Sequence, residues 1–205
     1  MTNNDKREPI KIILLGSTCT GKTSIINRYY TNTFSDHLDR TYSANFIIKE
    51  ITINDEKLII HVWDTAGQEQ SQAVNKIFIK RAKIVILVYD VTSQKSFDEL
   101  FYWYHCVKTN LGDEIVIGLA GNKVDLINEE NIKEEVTRKE AKELAEKWDA
   151  TFALLSAKCD KNGIDVFFEK LIKKYVAKYK GMNMSNTFRI SSSNHKVINK
   201  QKKFC

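Results

Sequence analysis

The chain has 205 residues, with 32 lysines and arginines against 26 acidic residues, a formal charge of +6, and one proline. That length holds one ample domain and forces no second. Cys19, Cys106, Cys159 and Cys205 are scattered without a C-x-x-C pair, so neither a disulfide framework nor a zinc site is indicated. No apolar run approaches the ~20 residues that cross a bilayer.

The segment 1–9 is polar and lacks the apolar core of a signal peptide, which predicts a cytosolic protein. Charge is uneven. No acidic residue follows Glu169, whereas ten lysines and arginines do, which leaves residues 1–169 at about −4. The basic balance therefore belongs to the C-terminal end. The body has no general basic character suited to nucleic acid, and no aromatic residues interleave the tail lysines as a stacking platform would require.

In chain order, the apolar run Ile10–Leu15 predicts a first strand, and Lys22–Tyr30, apolar on one face, a first helix. Between them lies Gly16-Ser17-Thr18-Cys19-Thr20-Gly21-Lys22-Thr23, the phosphate-binding pattern G-x-x-x-x-G-K-[ST] in its strand-to-helix context. Its glycines let the backbone wrap a phosphate chain, and its amides and the helix N-terminus, continuing into Ser24, supply positive potential. Lys22 reaches the β and γ oxygens and Thr23 can ligate Mg²⁺.

Phe46–Ile53 and Leu58–Trp63 read as strands joined by a hairpin at Asn54-Asp55-Glu56. The stretch Trp63-Asp64-Thr65-Ala66-Gly67-Gln68-Glu69 follows. There Asp64 can hold Mg²⁺ through water, the Gly67 amide can meet the γ-phosphate, and Gln68 can orient the attacking water. Ile84–Tyr89 is continuously apolar, as a strand covered on both faces must be, and Ser93–Leu111 reads as a helix.

After a fifth strand at Ile115–Ala120 comes Asn122-Lys123-Val124-Asp125. A carboxylate at Asp125 can accept both N1–H and the 2-amino group of guanine, a donor pair adenine lacks, which favours GTP over ATP. A helix at Arg138–Trp148 and a strand at Phe152–Leu155 precede Ser156-Ala157-Lys158. Here the Ala157 amide can meet guanine O6, with Lys158 packed nearby. The last helix is Ile164–Lys178.

The expected fold is α/β: a doubly wound, mostly parallel six-stranded sheet with one antiparallel edge strand, all the motif loops leaving strand carboxyl ends. The expected organisation is a polar extension over 1–9, a nucleotide-binding domain over 10–180, and a disordered basic tail over 181–205.

Taken together, these motifs resemble the Ras superfamily of small GTPases over roughly Lys11–Tyr179, and within it the Rab family most closely. The family-level marks are Phe46, Trp63 and Phe78, which match the Rab aromatic triad, and the run Leu87–Phe97, similar to the Rab L-V-Y-D-I-T-x-x-x-S-F pattern. The resemblance implies the small G-protein fold and a monomeric GTP/GDP switch in vesicle transport. Catalysis then rests on Gln68, Lys22 and Thr41, with Mg²⁺ held by Thr23, Thr41 and Asp64.

By the same comparison Thr41 is the metal-binding threonine of switch I and Phe34 packs against guanine. The triad faces effectors, or else consists of plain core aromatics. An exchange factor, an activating protein and effectors are implied as partners, with unaided hydrolysis on the order of 10⁻⁴ to 10⁻³ s⁻¹.

Three departures fall on partner-facing positions. Ser43 stands where Rabs have Gly. Gln70-Ser71-Gln72 replaces Arg, an aromatic and Arg. Phe78-Ile79-Lys80-Arg81-Ala82 replaces aromatic-aromatic-Arg-Gly-Ala. The chain ends in a lone Cys205 after Lys202 and Lys203, which resembles the one-cysteine Rab variant. One prenyl chain plus a basic segment satisfies the two-signal rule for peripheral attachment to the cytosolic face of an intracellular membrane. The alternatives are a GTP-binding scaffold with little hydrolysis, prompted by Thr18 and Cys19 in the loop, and a Ras-like signalling GTPase without lipid.

Overall fold

Six apolar runs pair into one mixed sheet in the computed structural model, which describes residues 8–37, 45–53, 55–64, 78–128 and 135–183. The strands are β1 (Ile10–Leu15), β2 (Asn45–Ile53), β3 (Glu56–Asp64), β4 (Ile84–Asp90), β5 (Val116–Asn122) and β6 (Thr151–Leu154). Their order across the sheet is β2-β3-β1-β4-β5-β6. Only β2 and β3 pair antiparallel, as a hairpin closing at Ile53↔Glu56 with Asp55 left-handed at φ 62°; Asn54 lies outside the described residues. All other neighbours are parallel, the α/β fold the sequence predicts.

The helices are α1 (Lys22–Thr31), α2 (Gln94–Asp98), α3 (Leu100–Leu111), α4 (Arg138–Lys147) and α5 (Lys161–Asn183). They cover both faces, which alternation along the strands explains. Ile12 and Leu14 of β1, with Ile84, Ile86 and Val88 of β4, pack against Ile25, Ile26 and Tyr29 of α1 and Phe167, Phe168 and Leu171 of α5. Their neighbours Ile13, Leu15, Val85, Leu87 and Tyr89 point the other way, onto Trp103 and Val107 of α3 and Leu144 of α4. Each such fully buried side chain contributes about 1.5–3 kcal/mol.

Helix ends follow local chemistry. Thr137 Oγ1 caps α4 by accepting the Glu140 amide at 3.2 Å. The helix expected over 93–111 is divided at Glu99 into α2 and α3, and its carbonyl accepts the Trp103 amide only at 3.4 Å. The last helix is longer than its apolar spacing suggests. Its core positions Ile164, Phe167, Phe168, Leu171, Ile172 and Val176 define one face, but α5 continues to Asn183, past the boundary drawn at Gly181. A 3₁₀ turn, Val124–Asn128, follows β5.

Candidate nucleotide site

The phosphate loop runs from the end of β1 to the first turn of α1, and two glycines set its path. Gly16 has φ 146°, and a Cβ there would lie 2.1 Å from the Val88 carbonyl oxygen of β4. Gly21 has φ 89°, and a Cβ there would lie 2.2 Å from Asn122 Nδ2. No other residue fits either place. Lys22, 5% exposed, folds back so that its ammonium donates to the carbonyls of Gly16 (2.7 Å) and Ser17 (2.9 Å). The cation is thus held over the loop rather than loose in solvent.

Thr20 Oγ1 donates to the Ser17 carbonyl at 3.0 Å, and the Ser17 hydroxyl donates to the Glu99 carboxylate. Thr18 and Cys19 are exposed, with Cys19 left-handed at φ 65°, and Ser24 is half-buried in the first turn of α1.

Asp64, at the carboxyl end of β3, is 7% exposed, and its Oδ1 has no hydrogen-bond partner. Burial pushes its pKa up to about 6, against a hydrogen bond from Thr23 and the Lys22 charge, which both pull it down. An orphaned carboxylate oxygen beside the Thr23 hydroxyl fits a hard divalent cation. Among the described residues no group of three or more His, Cys, Asp or Glu forms a metal cluster.

Asn122, 2% exposed at the end of β5, joins the phosphate loop to the last loop. Its Nδ2 donates to the Thr20 carbonyl (2.9 Å), and its Oδ1 accepts the Ala157 amide (3.1 Å). The Ala157 N–H expected at guanine O6 is thus already engaged, so a base would share that hydrogen. Lys123, left-handed at φ 70°, pairs with Asp90 at 2.6 Å. Asp90 is itself fixed by the Thr92 amide and hydroxyl at 2.9 and 2.7 Å. Asp125 Oδ1 accepts the Ser156 hydroxyl at 2.5 Å, and Lys158 pairs with Asp36 at 3.7 Å. Phe34 is half-buried against the α1 and α5 side of the core.

The sequence reading missed Arg28, which reaches from the last turn of α1 to the Ala157 carbonyl (Nε, 2.8 Å) and the Lys158 carbonyl (Nη2, 2.6 Å). Its Nη1 also donates to the Asn32 carbonyl and Oδ1, both at 3.1 Å. Asp90 and Glu99 were missed too. A single cation on a helix's polar face gives no sequence signal for partners 129 positions away.

The three triad aromatics come together beside β3. Phe46 stacks on Trp63 (centroids 4.8 Å), Trp63 tilts against Phe78 (6.3 Å), and the Lys11 ammonium lies 4.4 Å from the Trp63 centroid. Thr41, Gly67, Gln68, the altered positions 43 and 70–72, and Cys205 lie outside the described residues.

A strand, a glycine-bounded loop and a helix, with a buried lysine turned onto the loop and the Asn122–Asp125 and Ser156–Lys158 loops at neighbouring strand ends, define a P-loop nucleotide-binding protein. Residues 11–177 match the Ras family. Curated relatives include the Ras-like GTP-binding protein RYL2 of Yarrowia lipolytica, 38% identical over 171 residues, 82% of this chain and 81% of that one. Ras-related protein Rab-21 of Mus musculus is 38% identical over 166 residues, 81% and 72%. Ras-related protein Rab-5A of Dictyostelium discoideum is 34% identical over 169 residues, 82% of each. The chain belongs to the Ras family and is a small GTPase resembling Rab, which binds GTP and GDP and hydrolyses GTP.

Proposed function

We propose that this GTPase is a Rab-type switch that regulates vesicle traffic from the cytosolic face of an intracellular membrane, held there by a prenyl chain on Cys205 and the basic tail. The observation that supports it most is the continuity of the site: Asn122 bonds the phosphate loop on one side and the Ala157 amide on the other. One nucleotide can therefore engage phosphate and base loops together. The clustered rings of Phe46, Trp63 and Phe78 supply an aromatic surface for effectors beside β3.

In this reading Lys22 neutralises developing charge on the β and γ oxygens, and Asp125 selects guanine. Thr23 and Thr41, with Asp64 through water, hold Mg²⁺, which when bound supplies charge neutralisation at the bridging oxygens. Gln68 aligns the water, and Thr41 and Gly67 lie in the segments that order around the γ-phosphate. The test is single-turnover GTP hydrolysis with Mg²⁺, wild type beside Gln68→Leu. Slow decay in the wild type, reduced about tenfold or more in the variant, is expected of a water-positioning glutamine. Equal rates would remove Gln68 from that role.

A further inference from the structure

We propose that Arg28 is a positioning residue for guanine recognition, acting on the base-reading carboxylate of Asp125 through a relay of hydrogen bonds. The inference rests on the guanine reading of Asp125 given above. The relay starts where Arg28 Nη2 donates to the Lys158 carbonyl at 2.6 Å. That carbonyl shares one rigid peptide plane with the Cys159 N–H, so fixing the oxygen fixes the direction of the hydrogen. The Cys159 N–H donates to Ser156 Oγ at 3.0 Å, and the Ser156 hydroxyl, its oxygen thus occupied, donates to Asp125 Oδ1 at 2.5 Å. One lone pair of Asp125 Oδ1 is taken in this way, and the rotation of the carboxylate that presents its remaining lone pairs on both oxygens is set.

A second arm runs in parallel. Arg28 Nε holds the Ala157 carbonyl at 2.8 Å, and the same residue's N–H goes to Asn122 Oδ1, so both ends of Ala157 are fixed. The third donor, Nη1, bonds Asn32 at 3.1 Å, where the chain turns left-handed with φ 56° two residues before Phe34. A planar guanidinium can serve all these acceptors at once. A lysine, with one point of charge, cannot reproduce the fork.

Two carboxylate lone pairs facing N1–H and the 2-amino group distinguish guanine from hypoxanthine, which lacks the 2-amino group. The ratio of GDP to IDP affinity therefore reports the alignment of Asp125, whereas general loosening of the fold weakens both nucleotides alike. The experiment measures that ratio for full-length wild type, Arg28→Ala and Arg28→Lys by competition with a fluorescent guanine nucleotide, with thermal unfolding alongside.

A fall in the GDP/IDP ratio of about fivefold or more in both variants is expected for a charge-assisted hydrogen-bond network. Because Ser156 lies on the same relay, Ser156→Ala combined with Arg28→Lys should lower the ratio by less than the product of the single effects. An unchanged ratio, whether or not both affinities drop, would overturn the proposal, as would full rescue by Arg28→Lys. Should Arg28→Ala fail to fold, Arg28→Lys decides the matter on the same criteria. Wild type that binds ADP as well as GDP would overturn the guanine reading itself, and this proposal with it.

Discussion

At the scale of the residue, Arg81 shows how this chain retains a backbone path while changing the side chain. Its φ of 63° lies in the left-handed region, in the turn where the Ala82 amide bonds the Ile79 carbonyl at 3.0 Å. Rabs commonly have glycine there, and a side chain with a Cβ costs about 1 kcal/mol in that conformation. Arg81→Gly should therefore stabilise the protein slightly, by about 0.5 kcal/mol or less once the larger unfolded-state entropy of glycine is counted, raising Tm by roughly 1 °C. Thermal unfolding checks it, and a lower Tm would mean that the arginine side chain makes compensating contacts. The phosphate-loop glycines differ in kind. Around Gly16 and Gly21 the obstacle is the Val88 carbonyl and the buried Asn122 amide, neither of which has room to move.

At the scale of the element, α3 and α4 are joined by aromatic rings. Trp148, 6% exposed at the end of α4, stacks on Tyr104 of α3 at 4.2 Å and meets the edge of Phe101 at 5.3 Å. Trp148→Ala should cost about 3–5 kcal/mol, a fall in Tm on the order of 10 °C. Because Trp148 precedes the amino end of β6, away from the loops that hold nucleotide, GDP affinity of the folded fraction should stay within about twofold of wild type. Denaturant unfolding and nucleotide titration check the two halves separately.

The same packing explains what the sequence could tell. The central strands β1 and β4 were legible to within a residue, because strands buried on both faces read as unbroken apolar runs. The break at Glu99 was not, because the apolar spacing of α3 runs through it unchanged. Nor was the end of α5, because the apolar spacing that marks the helix stops at Val176 while the helix runs on to Asn183. Motif spacing singled out Lys22, Asn122 and Asp125 as candidates for nucleotide contact, since each motif names its own chemistry. Arg28, Asp90 and Glu99 act through partners distant in the chain, and a lone charged residue gives no pattern to read.

At the scale of the whole molecule, charge is sorted along the chain. Lys170, Lys173, Lys174, Lys178 and Lys180 lie on α5, and the sequence carries no acid after Glu169. Lys178 and the Tyr179 hydroxyl donate to the Glu114 carbonyl, just before the amino end of β5. The basic end of α5 thus lies at the side of the sheet opposite the carboxyl ends that hold nucleotide. Among the described residues no helix is long and apolar enough to cross a membrane. The proposed reading places the attachment at Cys205. Cys205→Ser should move most of the protein from membrane to soluble fractions in cells, while leaving GDP affinity unchanged. Equal partitioning of the two forms would remove the lipid from the account.

The sheet order has a bearing on how the protein is made. β1 emerges first from the ribosome but occupies the middle of the sheet, between β3 and β4. Arg28 is synthesised 129 residues before the Ala157 carbonyl it grips, an interval on the order of ten seconds at translation speeds. Throughout that time the phosphate loop exists without a complete base-binding half. Because a ligand stabilises a chain in proportion to its affinity for it, GTP should support folding most at the end of that interval, once both loops can engage it.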